Sequence, residues 1–173
     1  MHPAVSTSQI EYHVRTGQYP GPQRSILLVF SSFSGETSGD NYEFLRRIPN
    51  YHYHSGHNTA CYCVGYSVYD ATDNDDFGLG FNINNDLGIL NYFYPKLFED
   101  TRSRIQTALN QKWQYNGGVD LLLFAANSSS SQPVVWNHAA VVQSKKLVPR
   151  VFGDVEAMVR TVLNLNRAYP VDT

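Results

Sequence analysis

The chain has 173 residues, with 13 basic against 15 acidic side chains for a net charge of −2, and 42% of it is hydrophobic. That balance excludes a disordered tail and a strongly basic nucleic-acid protein, and the length suits one domain with a full core. Only 16% of the chain is charged, so its surface is polar through Tyr, Asn and Ser more than through charge.

The longest apolar runs, Ile26 to Phe30 and Leu121 to Ala126, are far short of the ~18 residues that cross a bilayer. The first 23 residues lack the basic start, apolar core and cleavage site of a secretory signal. Neither nucleic acid nor a membrane is expected as a partner, and the chain is expected to be cytoplasmic or exported without a cleavable signal.

In chain order, residues 1–24, punctuated by Gly17, Pro20, Gly21 and Pro22, read as an N-terminal arm ending in a turn. Residues 25–173 read as a single globular domain. Ile26 to Phe30 is a buried strand or a short helix, between which periodicity does not arbitrate. Tyr42, Phe44, Leu45 and Ile48 lie at helical offsets behind Asp40, and Pro49 closes that segment. Ala60 to Tyr69 is apolar and small, followed by the acidic run Asp70, Asp73, Asp75, Asp76, which reads as a solvated loop without the spacing of a calcium loop. A helix is expected from about Pro95 to Gln111. Gly117 and Gly118 then turn the chain into the strand Val119 to Ala126. A Ser-rich loop follows to Pro133, then a second strand, Val134 to Gln143, and a third over Val148 to Phe152. Val155, Met158, Val159, Val162, Leu163 and Leu165 form an amphipathic closing helix behind Asp154.

The first constellation that could carry chemistry pairs Cys61 or Cys63 with His138. The two cysteines are one residue apart, poor spacing for a bridge between them, so they are free thiols or ligands. A thiol becomes a strong nucleophile as thiolate, which a helix N-terminus and an adjacent imidazole favour. Asn58 or Thr59 would cap a helix starting near Ala60 with a cysteine in its first turn. Val64, Tyr66 and Val68 equally suit a strand by alternation. As packing residues, both cysteines and His138 would have no catalytic role.

The stretch Val119-Asp120-Leu121-Leu122-Leu123-Phe124, the Ser-rich loop and Trp136-Asn137-His138-Ala139-Ala140-Val141-Val142 resemble the catalytic-histidine hairpin of papain-like amidases of the NlpC and CHAP type. Ala60-Cys61, with Val68 and Ala71-Thr72 behind it, is similar to the cysteine helix of the type VI secretion amidase effectors. The resemblance implies an α+β, papain-like single domain with a cysteine-bearing helix on an antiparallel sheet. It implies Cys61 as nucleophile, with Cys63 as the other candidate, and His138 as the base. Asp154 would orient the imidazole, with Asp120 and Asn137 as fallbacks. The function implied is a cysteine hydrolase of amide bonds, an antibacterial effector toxin acting on a peptide or peptidoglycan substrate, with a protein inhibitor as partner and no cofactor.

Two further segments have weaker chemistry. His52-Tyr53-His54-Ser55-Gly56-His57 resembles the zinc loop of metallo-β-lactamase-fold hydrolases. Gly56 stands where that loop has an aspartate, so no metal is assigned. Ser31 to Gly39 looks like a flavodoxin phosphate loop. The alternative fold is accordingly thioredoxin-like or flavodoxin-like α/β, a non-catalytic binding or interaction module. It has no Cys-x-x-C pair. The many tyrosines suit a saccharide or peptide groove or half-buried packing.

Overall fold

The computed structural model describes residues 6–17, 25–33, 59–71, 77–83 and 91–146, together with Thr161, Val162 and Asn164. Helix α1 (Thr7–Thr16) lies within the expected arm. Its start is built by a capping box, in which Ser6 Oγ accepts from the Gln9 N–H and Gln9 Oε1 accepts from the Ser6 N–H. Two orphan donors of the first turn are thereby satisfied. Gly17, at φ 61°, ends the helix in the left-handed conformation that glycine tolerates. Ile10 and Val14, four residues apart and so on one face, are buried in the main core. Ser6→Ala is expected to cost about 1 kcal/mol, read as a lowered denaturation midpoint with an unchanged denaturant slope.

The chain continues as β1 (Ser25–Phe30), β2 (Thr59–Cys63), β3 (Tyr66–Ser67), β4 (Phe81–Asn82), β5 (Tyr92–Phe93), α2 (Pro95–Ala108), β6 (Asp120–Ala125) and β7 (Ala140–Gln143), and a 3-10 turn follows at Ser144–Lys146. The main sheet has the order β2-β1-β6-β7. β1 and β2 are parallel, β1 and β6 antiparallel, and β6 and β7 antiparallel. A small antiparallel sheet, β3-β5-β4, stands between β2 and α2 in the chain.

β1 resolves the ambiguity of Ile26 to Phe30 in favour of a strand, buried throughout because it is central and covered on both faces. Leu28 is registered with Tyr62 and Leu122, and Leu27 with Cys61 and Leu123. Because side chains alternate along a strand, Tyr62, Phe30 and Phe124 share one face, while Cys61, Cys63, Leu27 and Val29 share the other. α1 and α2 both pack on the Tyr62 face. His13 of α1 stacks on Tyr62, its Nδ1 3.2 Å from the phenol oxygen, and Phe98 of α2 meets Phe30 edge-on. Pro95 occupies the first turn of α2, where its missing N–H costs nothing, and Leu97, Phe98, Thr101 and Ile105 form its buried side.

Four expectations are corrected. The segment expected to be a cysteine-bearing helix is strand β2: β1 supplies its ladder of hydrogen-bonding partners, and Gly65 would end a helix after barely one turn. The sheet is mixed and not antiparallel, because β1 and β2 run the same way. A flavodoxin-like sheet would be parallel throughout, and β6 is reversed against β1. His138 lies outside any strand: after a single bridge of Val134 to Ala126, the chain leaves the ladder and rejoins it at Ala140. The expected elements over Asp40–Ile48 and Val148–Phe152 lie outside the described residues. Of the closing helix, Thr161, Val162 and Asn164 are helical, and Val162 packs against the main core.

Candidate functional site

Cys61 and Cys63 are free thiols with 1% and 0% of their surface exposed. Burial pushes the Cys61 thiol up to about 12. Burial, with the neighbouring Cys61, raises Cys63 well above the ordinary thiol range. Transfer of a thiolate into this apolar layer is what both shifts oppose. His138 is exposed and precedes β7, the strand at the opposite edge of the sheet from β2. Three strand spacings separate those edges, about 14 Å, against the ~3 Å that proton transfer from a thiol requires. The structure therefore does not bring either cysteine and His138 together.

Asp154, His52, His54 and His57 lie outside the described residues, and among those that are described no group of His, Cys, Asp or Glu is arranged to hold a metal ion. Asp120, a fallback for orienting the imidazole, is fully buried at the start of β6 and engaged elsewhere. Its Oδ2 accepts from Trp113 Nε1 at 2.9 Å and from Gln143 Nε2 at 2.6 Å. That network ties the segment after α2 to the two strands of the β6/β7 hairpin. Beside it, the Tyr115 hydroxyl donates to the Gly118 carbonyl and accepts from the Ser32 N–H. Ser31 and Ser32, the described start of the Ser/Gly loop, are thus held by tyrosines: the Tyr66 hydroxyl donates to the Ser31 carbonyl at 2.6 Å. Of the tyrosines, Tyr62, Tyr66 and Tyr94 are buried, whereas Tyr12 and Tyr69 are exposed.

Among the described residues, two clefts stand out on the surface. One, of about 350 Å³, lies between the start of α1 and α2 and is lined by Ser6, Thr7, Lys96 and Arg104 among others. Its charge is internally balanced in part, because Lys96 pairs with Asp100 at 2.8 Å.

The other cleft, of about 280 Å³, is formed where α1 and the end of α2 meet the loop between β6 and β7. Trp136, which left the expected strand, lies edge-on to Phe124 and donates its indole N–H to Glu11 Oε1 at 2.7 Å. Val134, Val135 and Pro133 supply apolar wall, and Gln132 and Asn137 supply amides. Arg15 of α1 donates to the Ser131 carbonyl at 2.8 Å and anchors the loop. Asn137, the second fallback for the imidazole, belongs to this cleft. Nothing in the sequence links Glu11 with Trp136: they are 125 residues apart and no spacing rule joins them.

No protein-family model matches the chain, and no curated protein or solved structure is detectably similar to it.

Proposed function

We propose that this chain is a non-catalytic binding module with a thioredoxin-like core, in which Cys61 and Cys63 are packing residues. The observation that carries the reading is the burial of both thiols on β2, on the face of the sheet opposite α1 and α2 and at the other edge from the strand that follows His138. Burial of this kind protects a thiol and lowers its thiolate fraction, whereas a nucleophile needs access and a depressed pKa.

The topology supports the fold reading. The parallel pair β1/β2, the helix α2, the antiparallel hairpin β6/β7 and the helical residues near Val162 follow in the order of a thioredoxin-like domain, with the small sheet inserted before α2. The redox pair of such domains is replaced here by Ser31-Ser32-Phe33-Ser34, so thiol–disulfide chemistry at that place has no reactant. A papain-like cysteine hydrolase acting on a peptide or peptidoglycan substrate is the competing proposal. It requires a reactive cysteine coupled to His138.

Iodoacetamide alkylation, followed separately at each cysteine by peptide mass mapping, tests the reading in the parent protein and in His138→Ala. Both thiols are expected to react slowly, at a rate set by opening of the fold, and equally in the two proteins. A single cysteine that alkylates rapidly at neutral pH, and slows in His138→Ala, would contradict the module and favour the hydrolase.

A further inference from the structure

We infer that the Glu11/Trp136 cleft is a recognition site for a basic side chain, the ammonium of lysine or the guanidinium of arginine on a partner peptide. Among the described residues that line the cleft, Glu11 is the only charged one. A carboxylate on a helix can pair with a cation four residues on, and Arg15 stands at that position. Its guanidinium donates to the Ser131 carbonyl and makes no ion pair with Glu11. Trp136 takes one carboxylate oxygen of Glu11, and among the described residues no cation pairs with this side chain. The indole thus fixes the carboxylate in place without neutralising it.

The rest of the cleft suits the stem of such a ligand. Lysine and arginine carry apolar stems that lie along hydrophobic surface while the charged end reaches a polar partner. The exposed Val135 and the half-buried Trp136 offer that surface, and the indole adds a π system that attracts cations. A volume of about 280 Å³ lies at the lower end of the ~300–1,000 Å³ of sites that enclose whole small molecules. It fits one side chain inserted from a longer partner. Gln132 and Asn137, both exposed at the cleft, are placed to bond the peptide backbone beside the inserted residue.

This inference rests on the binding-module reading. N-acetyl-lysine amide and N-acetyl-arginine amide are titrated into the full chain while the two tryptophan indole N–H resonances are followed by NMR. The Trp136 resonance is expected to shift saturably with either probe. The buried Trp113 resonance, bonded to Asp120, should stay still and report an intact fold. Glu11→Gln keeps an acceptor for the indole and removes the charge, so it should weaken binding about fivefold, as expected for a partly exposed ion pair. N-acetyl-norleucine amide, with the stem but no charge, should bind more weakly than lysine by a similar factor. Equal binding of the norleucine probe, an unchanged affinity in Glu11→Gln, or a Trp136 resonance that no probe moves would each overturn the inference. The two readings fail separately: rapid alkylation of Cys61 with an intact Trp136 response overturns the module, and slow thiols with no response overturn the cleft.

Discussion

Replacing Gly65 with alanine is expected to destabilise the domain by about 3 kcal/mol, the sum of a backbone and a packing penalty. Gly65 makes the turn from β2 into β3 at φ +85°, where L side chains are strained. A Cβ there would stand 2.8 Å from Phe93 Cε2 and 2.8 Å from Phe98 Cβ. Neither neighbour can give way cheaply. Phe98 Cβ is fixed to the backbone of α2, and the Phe93 ring is packed against Tyr66 and Phe98. Gly17 offers the control, because it also has positive φ, at +61°, but an added Cβ meets nothing within 4 Å. Gly17→Ala should therefore cost only the backbone part, about 1 kcal/mol. Denaturant unfolding of the two variants separates the terms. Equal losses in both would show that the aromatic cluster around Gly65 is looser than described.

Asp120→Ala is expected to cost about 3–5 kcal/mol, because it strands two buried donors at once. The Trp113 indole and the Gln143 amide both donate to Oδ2. Each would be left without its acceptor in a layer where water does not compensate, at about 1–3 kcal/mol apiece. Asp120→Asn retains a carbonyl oxygen that can occupy the Oδ2 position, so most of the stability should survive. Thermal or denaturant midpoints of the two variants check this, with the Trp113 indole resonance as the local reporter. A loss below about 1 kcal/mol in the alanine variant would contradict the network's structural role.

Much of the frame is legible in the sequence, and the failures have physical causes. β6 is visible because Gly117 and Gly118 punctuate an apolar run with a polar start. α2 is visible from Pro95 and the spacing of Leu97, Ile105 and Leu109. α1 was available too, since Ser6 and Gln9 form a capping box three residues apart, but the glycines and prolines that follow obscure it. β2 was ambiguous for a deeper reason. Thr59 to Cys63 has no periodicity of its own that separates helix from strand, and the parallel partner that decides it, β1, lies more than thirty residues earlier. The apolar neighbours of His138 read as a strand. The structure uses that stretch to carry Trp136 to Glu11 on α1. Of the candidate site, the sequence points to Asn137 only as a partner for the His138 imidazole, and nothing in it singles out Glu11.

The sign of the alkaline dependence of stability is the most direct test that the cysteines are interior and protonated. A thiol whose folded pKa is raised, as burial raises Cys61 to about 12 and Cys63 well above its ordinary range, stabilises the fold fully below the unfolded pKa of ~8.5. Above that pH the unfolded chain releases protons that the folded chain retains, so stability falls as pH rises toward the folded pKa. Denaturant unfolding at several pH values from about 7.5 to about 9.5 should show a decline that steepens toward roughly 1 kcal/mol per pH unit for each thiol. Most of the decline should be lost in Cys61→Ala/Cys63→Ala. Staying at or below pH ~9.5 keeps the contribution of Tyr66 and Tyr94, whose phenols burial also raises, smaller than that of the thiols. A parent protein whose stability rises over the same range, and loses that rise when Cys61 is replaced, would mean a thiolate favoured by the fold, and would contradict the account.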